Sequence, residues 1–172
     1  MAFDAFCYFP GSDVAGETQD KAQKDNKAFE ILSFEIGAEN NINIGSVSAG
    51  GGAGKATFKE LSITKKTDSS SCALFSKLCE GNHFEDMTIE LRRSGGQAGV
   101  SGTTFLKWEF KLVMVQDIGW SGSDGDDICE ESLVLQYGAM KVTYTAQDAK
   151  GKAGTESSGE WSRVLNEANL AV

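Results

Sequence analysis

The stretch SAGGGAGKATFKELSITK, residues 48–65, ends a run of glycines in Gly54 and Lys55, the pair that closes a phosphate-binding loop in nucleotide hydrolases. Such a loop also needs a glycine five residues before the pair and a Ser or Thr directly after the lysine to ligate magnesium; Ala49 and Ala56 stand there instead. Its anion site is the N-terminus of a helix. Here Ala56 and Phe58, then Leu61 and Ile63, alternate with Thr57, Lys59 and Thr64, which is a strand pattern. Nucleotide chemistry is not expected, and the glycine run needs another role.

Other chemistry is equally sparse. His83 is the sole histidine, so schemes that require two imidazoles are excluded, and its position after a helix end reads as a capping or surface residue. The acidic run from Asp124 to Glu131 lacks the spacing of a calcium loop, with its glycine at the sixth position and glutamate at the twelfth, and reads as a solvated turn. No Gly-x-Ser-x-Gly elbow occurs. A hydrolytic pair of carboxylates is defined by separation in space, which a sequence rich in acids does not give. No catalytic residue, metal site or cofactor is assigned. By elimination the chain assembles or binds.

The elements that carry these residues are mostly strands. With 172 residues, 40% of them apolar, the chain reads as a single domain over residues 1–172. A formal charge of −9 opposes binding to nucleic acid. No apolar run approaches the roughly 20 residues needed to cross a bilayer as a helix. The N-terminal MAFDAFCYF has no basic segment ahead of an apolar one, so no secretory signal is expected and the cytosol is the expected place of synthesis. Cys7, Cys72, Cys79 and Cys129 lack zinc spacing. Cys72 and Cys79 fall about 10 Å apart along a helix, beyond disulfide reach, and all four are expected as buried free thiols.

Met87, Ile89 and Leu91 alternate with Thr88, Glu90 and Arg92; Leu106, Trp108, Phe110, Leu112 and Met114 alternate with Lys107, Glu109 and Lys111. Each pattern predicts a half-buried antiparallel strand. The apolar phase changes between Ile31 and Leu32, around Glu60, and between Ala139 and Met140, where a bulge is expected beside Gly138. Residues 70–80 break the alternation, with Cys72, Phe75, Leu78 and Cys79 at helical spacing, an N-cap within 68–71 and a C-cap at Gly81. The expected fold is mainly β: a curled, two-sheet antiparallel barrel or sandwich with one short helix.

The order of several segments resembles one family. GETQD (residues 16–20), FEILSFEIG (29–37), GGGAGKATFKELSITKKTD (50–68), the helix, IELRRSGG (89–96), LVMVQDIGWSGSDGDD (112–127), VTYTAQDAKGKAG (142–154) and GEWSRVLN (159–166) are similar to, and ordered as in, the haemolysin-coregulated (Hcp) tube proteins of bacterial type VI secretion. The chain departs from that pattern at Pro10, at Gln116 and Asp117, and in lacking a histidine after GETQD.

The resemblance implies a homohexameric ring. Rings of that family stack into a tube that is sheathed in the bacterial cytoplasm, tipped by a valine-glycine-repeat spike protein, and secreted with its effectors to the exterior or into a target cell without a signal peptide. It further implies that the loop of Gly50, Gly51, Gly52, Ala53, Gly54 and Lys55 makes the contact between rings. Ser33 and Glu35, opposite Leu32, Phe34 and Ile36, suit either a water-filled lumen or an ordinary solvated sheet face. The alternative is a monomeric β-sandwich that binds carbohydrate or another small ligand on Trp108, Trp120 or Trp161; Trp108 reads as core and Trp120 as the better platform.

Overall fold

The computed structural model describes residues 3–42, 53–93, 102–147 and 153–172. Among these, ten strands and one helix follow in the order β1 Phe3–Tyr8, β2 Phe29–Glu30, β3 Ser33–Glu35, β4 Ala38–Ile42, β5 Ala53–Phe58, β6 Leu61–Lys66, α1 Ser70–Glu80, β7 His83–Arg93, β8 Thr103–Ser121, β9 Glu130–Gln147 and β10 Ala153–Ser162. The main sheet runs β2-β1-β7-β8-β9-β6-β3, with β10 added to β9, and β4 and β5 form a separate hairpin. Every pairing is antiparallel. The mainly β, two-sheet expectation with one helix holds; closure into a hydrogen-bonded barrel does not.

What replaces closure is a shared segment. Residues 29–31 bond to β1, with the Ile31 amide donating to the Ala5 carbonyl at 2.9 Å, and residues 32–35 bond to β6, with the Leu32 amide donating to Thr64 at 2.8 Å. One stretch of chain therefore serves both ends of the sheet. The expected phase change falls at this transfer: Ile31 is buried and Leu32 is 55% exposed. The change around Glu60 is also a transfer, since β5 belongs to the hairpin and β6 to the main sheet.

The long strands correct two expectations. In β8 the core face passes from Phe110 to Val113 and Val115, while Met114 is exposed. Leu112 has a φ of 52°, a left-handed conformation that breaks the alternation. Opposite it, the ladder keeps its register through Gly138, from Lys111 with Ala139 to Val113 with Tyr137, so the bulge expected there is absent; the register shifts between Val115 and Asp117 instead. What happens at Gly138 is a fork. The other edge of β9 pairs with β6 over Glu130–Leu135 and with β10 over Ala139–Gln147. Arg163 occupies the gap, its amide bonding the Gly138 carbonyl at 2.8 Å and its guanidinium the Tyr137 carbonyl at 2.8 Å.

The helix spans the predicted residues. Gly81 ends it at a φ of 66°, with the amides of Gly81 and Asn82 bonding back to Leu78 and Lys77. At the start, Asp68 accepts the Ser70 amide at 3.1 Å and also the Ser70 hydroxyl. Its buried face differs from expectation: Ser70, Ser71 and Leu74 face the core, while Cys72 and Cys79 are exposed and Phe75 is 46% exposed. Cys129 is exposed too, so Cys7 alone is the buried thiol, and burial pushes it well above the usual range.

Polar burial explains that rotation of the helix. The Lys65 amine, fully buried, donates to Asp68 at 2.8 Å, to Ser71 Oγ at 3.1 Å and to the Lys66 carbonyl at 3.0 Å, and lies 3.5 Å from Glu131, which is equally buried. Glu131 in turn accepts the Trp120 indole N–H at 2.7 Å. The network ties β6, β8 and β9 to the first turn of α1. Around it packs the apolar core, including Cys7, Phe29, Leu61, Ile63, Met87, Ile89, Phe110, Val113, Leu133 and Leu135.

The GETQD segment forms a clasp over the β2 edge. A Cβ on Gly16 would lie 2.4 Å from the Ala28 carbonyl oxygen, so the close approach admits only glycine. The Thr18 amide donates to the same carbonyl at 3.2 Å, and the Thr18 hydroxyl to Glu30 at 3.2 Å. Asp20 accepts the Ala22 and Gln23 amides and pairs with Arg92 at 2.9 Å. Glu17 reaches the helix, accepting the Ser69 amide at 3.1 Å. Beneath the clasp Glu90 accepts from Tyr8, Gln23 and Thr104 at 2.8–3.0 Å. Burial, reinforced by the hydrogen bond to Glu90, raises the Tyr8 phenol well beyond its ordinary range.

Two outcomes follow. Lys65→Met leaves the buried Glu131 carboxyl without its cationic partner, which should cost about 3–5 kcal/mol in urea denaturation; adding Glu131→Gln should recover most of it, and a single variant within about 1 kcal/mol of wild type would contradict the network. Gly16→Ala should lose about 1–3 kcal/mol through the forced backbone shift, whereas Gly159→Ala, whose added Cβ meets nothing within 4 Å, should move thermal stability little.

Candidate assembly surface

The residues expected to contact other copies divide into described and undescribed parts. Gly50, Gly51 and Gly52 lie outside the described residues. Ala53, Gly54 and Lys55 open strand β5, where Ala53 pairs with Ile42 and Ala56 with Asn40. A Cβ on Gly54 would fall 2.7 Å from the Asn41 carbonyl oxygen, at the register shift of the hairpin, so this glycine is set by close strand approach. Lys55 is exposed.

Ser33 and Glu35 point away from the core on β3 and are exposed, while Phe34 between them packs edge-on to Trp108 at 5.2 Å. Among the described residues strand β3 bonds only to β6. Among the same residues β10 pairs with β9 and, at its last residue, bridges from Ser162 to Glu167, the Ser162 amide donating to the Glu167 carbonyl at 2.8 Å; every residue from Ala153 to Glu160 is exposed. A long strand whose outer edge has no partner strand among the described residues ahead of Ser162 is the kind of surface that pairing between chains covers.

The three tryptophans occupy different environments. Trp108 packs against the core, as expected. Trp161 lines a cleft of about 560 Å³ at the fork of β9, together with Phe58, Leu112, Met114 and Tyr137. Lys55 and Arg163 stand at its wall, the guanidinium 5.8 Å from the Phe58 ring centre and 5.1 Å from that of Tyr137. Trp120 is 47% exposed and meets Phe75 edge-on at 5.8 Å. The bond to buried Glu131 holds its indole in place. Sequence periodicity did not reveal the cleft, because a fork in a sheet and a residue of positive φ leave no repeating signal.

The most buried acids among the described residues are engaged by donors. Glu90, Asp20, Asp68 and Glu131 accept from the donors already described, while Asp124, Asp126 and Asp127 of the 122–129 turn are exposed, Asp126 accepting the Ser123 amide at 2.8 Å. Among the described residues no cluster of three or more His, Cys, Asp or Glu is placed to hold a metal ion.

Comparison with known proteins identifies this architecture. The family model described as "Type VI secretion system effector, Hcp" matches residues 7–144. The protein hcp1 of Pseudomonas aeruginosa is 30% identical over 151 residues, covering 88% of either chain. A solved "type six secretion system protein" superposes with a TM-score of 0.87 at 30% identity, over 98% of this chain and all of that one. Hcp1 from Salmonella typhimurium gives 0.77 at 22% identity over 98% and 100%, a likeness of fold. A chain in the six-fold symmetrised baseplate of the anti-feeding prophage shares the fold more distantly, with a TM-score of 0.50 at 10% identity over 81% and 91%. Hcp proteins are structural, secreted components of the type VI tube rather than enzymes. The match across most of the chain, in sequence and in fold, places it in the Hcp family of type VI secretion proteins.

Proposed function

We propose that six copies of this chain close into a ring, that rings stack into the tube, and that the lumen carries effector proteins during secretion. The observation that carries the reading is the family match through residues 7–144. The edges of β3 and of β10 ahead of Ser162 that have no partner strand among the described residues support it, since a ring covers such edges with neighbouring copies. The distant fold relative in a six-fold symmetrised baseplate agrees with the number. Exposed Ser33 and Glu35 suit a wall in contact with water.

The tube works by assembly. Apolar burial between copies contributes on the order of 25 cal/mol for each Å², less the cost of immobilising the partners. The spike protein caps the stack and the sheath surrounds it and supplies the thrust. Synthesis occurs in the bacterial cytoplasm and the tube leaves with its cargo.

The connection between β4 and β5 is the proposed contact from ring to ring. Deleting Gly50 to Gly52, or making Lys55→Glu, should leave ring mass unchanged and reduce filament yield in electron micrographs taken under tube-forming conditions. Filament yield equal to wild type for both variants would defeat the assignment.

A further inference from the structure

Two surfaces of this chain are complementary and cannot meet within one copy. The first is the cleft at the fork of β9, an apolar groove walled by Phe58, Met114 and Trp161 and carrying Lys55, Arg163 and the exposed Val164. Neither cation is within ion-pair distance of a carboxylate among the described residues. The second lies at the far end of the β8–β9 hairpin: Trp120 and Phe75 form a half-exposed aromatic pair, and the adjoining turn presents Ile128, 53% exposed, among Asp124, Asp126 and Asp127.

Each surface thus joins exposed apolar groups to one sign of charge, and the signs are opposite. Strand β9 separates them: Glu131, which pairs with Trp120, stands seven residues from Gly138 in the cleft, or about 23 Å at the rise of a strand. In a chain of net charge −9, two copies repel unless their contact places opposite charges together. The aromatic pair is also pre-set for contact, because Trp120 is fixed through Glu131 and Lys65 rather than free to rotate.

We infer that the cleft of one copy receives the acidic, aromatic β8–β9 turn of a copy in the next ring. This rests on the stacked-ring reading and names the receptor surface and its occupant. Lys55 belongs to both the cleft and the stretch proposed for stacking, which makes the two surfaces continuous. A contact between two different patches propagates head to tail, as a stack of rings requires. Opposite charges at a solvated rim also make the contact weaken as salt rises.

The test uses full-length protein. Asp124→Lys with Asp127→Lys, and separately Arg163→Glu, should keep six-subunit mass and lower tube yield at least tenfold; the combined charge swap should restore it. Because Arg163 also holds the fork, Val164→Glu serves as a second cleft variant that leaves its hydrogen bonds in place. Mixing unlabelled rings with ¹⁵N-labelled rings before carbodiimide treatment should join Lys55 to Asp124 or Asp127 as mixed-isotope peptides. Unchanged tube yield in all variants, cross-links confined to one isotope, or wild-type rings that never stack would overturn this contact while leaving the ring itself standing. A wild-type monomer would overturn the ring and the contact together.

Discussion

One extended segment, residues 29–35, has to satisfy both ends of the main sheet, and much of the architecture follows from that constraint. Its first half completes β1 and its second half completes β6, with the change of partner between Ile31 and Leu32. A strand that changes sides must expose what it previously buried. Leu32 is the visible result, while Phe34 packs back against the core and meets Trp108 edge-on. The clasp of residues 16–20 lies over the same region, so the close approach of Gly16 to Ala28 and the bond from Thr18 to Glu30 hold the transfer in place. The sheet is thus curled without being closed, and among the described residues the outer edges of β3 and of β10 ahead of Ser162 have no partner strand.

Buried charge holds the other side. Lys65 and Glu131 are both withdrawn from water, which is costly unless each finds partners. Asp68, Ser71 and a carbonyl meet the amine, and Trp120 meets the carboxylate. Asp68 also accepts bonds from the first turn of α1, so one residue couples the buried pair to the helix start. The consequence reaches the surface: an aromatic side chain that would otherwise rotate is held beside Phe75.

Much of this was legible in the sequence, and what was not has physical causes. The helix limits were readable because caps are local, with Asp68 and Gly81 acting within one turn of their own residues. Its buried face was misread because periodicity ranks residues by hydrophobicity, while here the buried lysine draws Ser70 and Ser71 inward and leaves Cys72 and Phe75 outside. In β8 the alternation through Phe110 was correct, but the positive φ of Leu112 reverses the face beyond it, and leucine gives no warning of that conformation. The irregularity near Gly138 was visible as a change of phase, yet its cause, a fork filled by Arg163, depends on residues far along the chain. The family was readable from ordered segments. Of the candidate stacking residues, Ala53 to Lys55 proved to be strand, while Gly50 to Gly52 lie outside the described residues.

The most direct measurement is the absolute mass of the purified chain by light scattering, with negative-stain images of the same fraction. Ring assembly predicts six subunits of 18.4 kDa and particles with a central hole. A monomer at every concentration would contradict it and shift attention to a binding module built around Trp120.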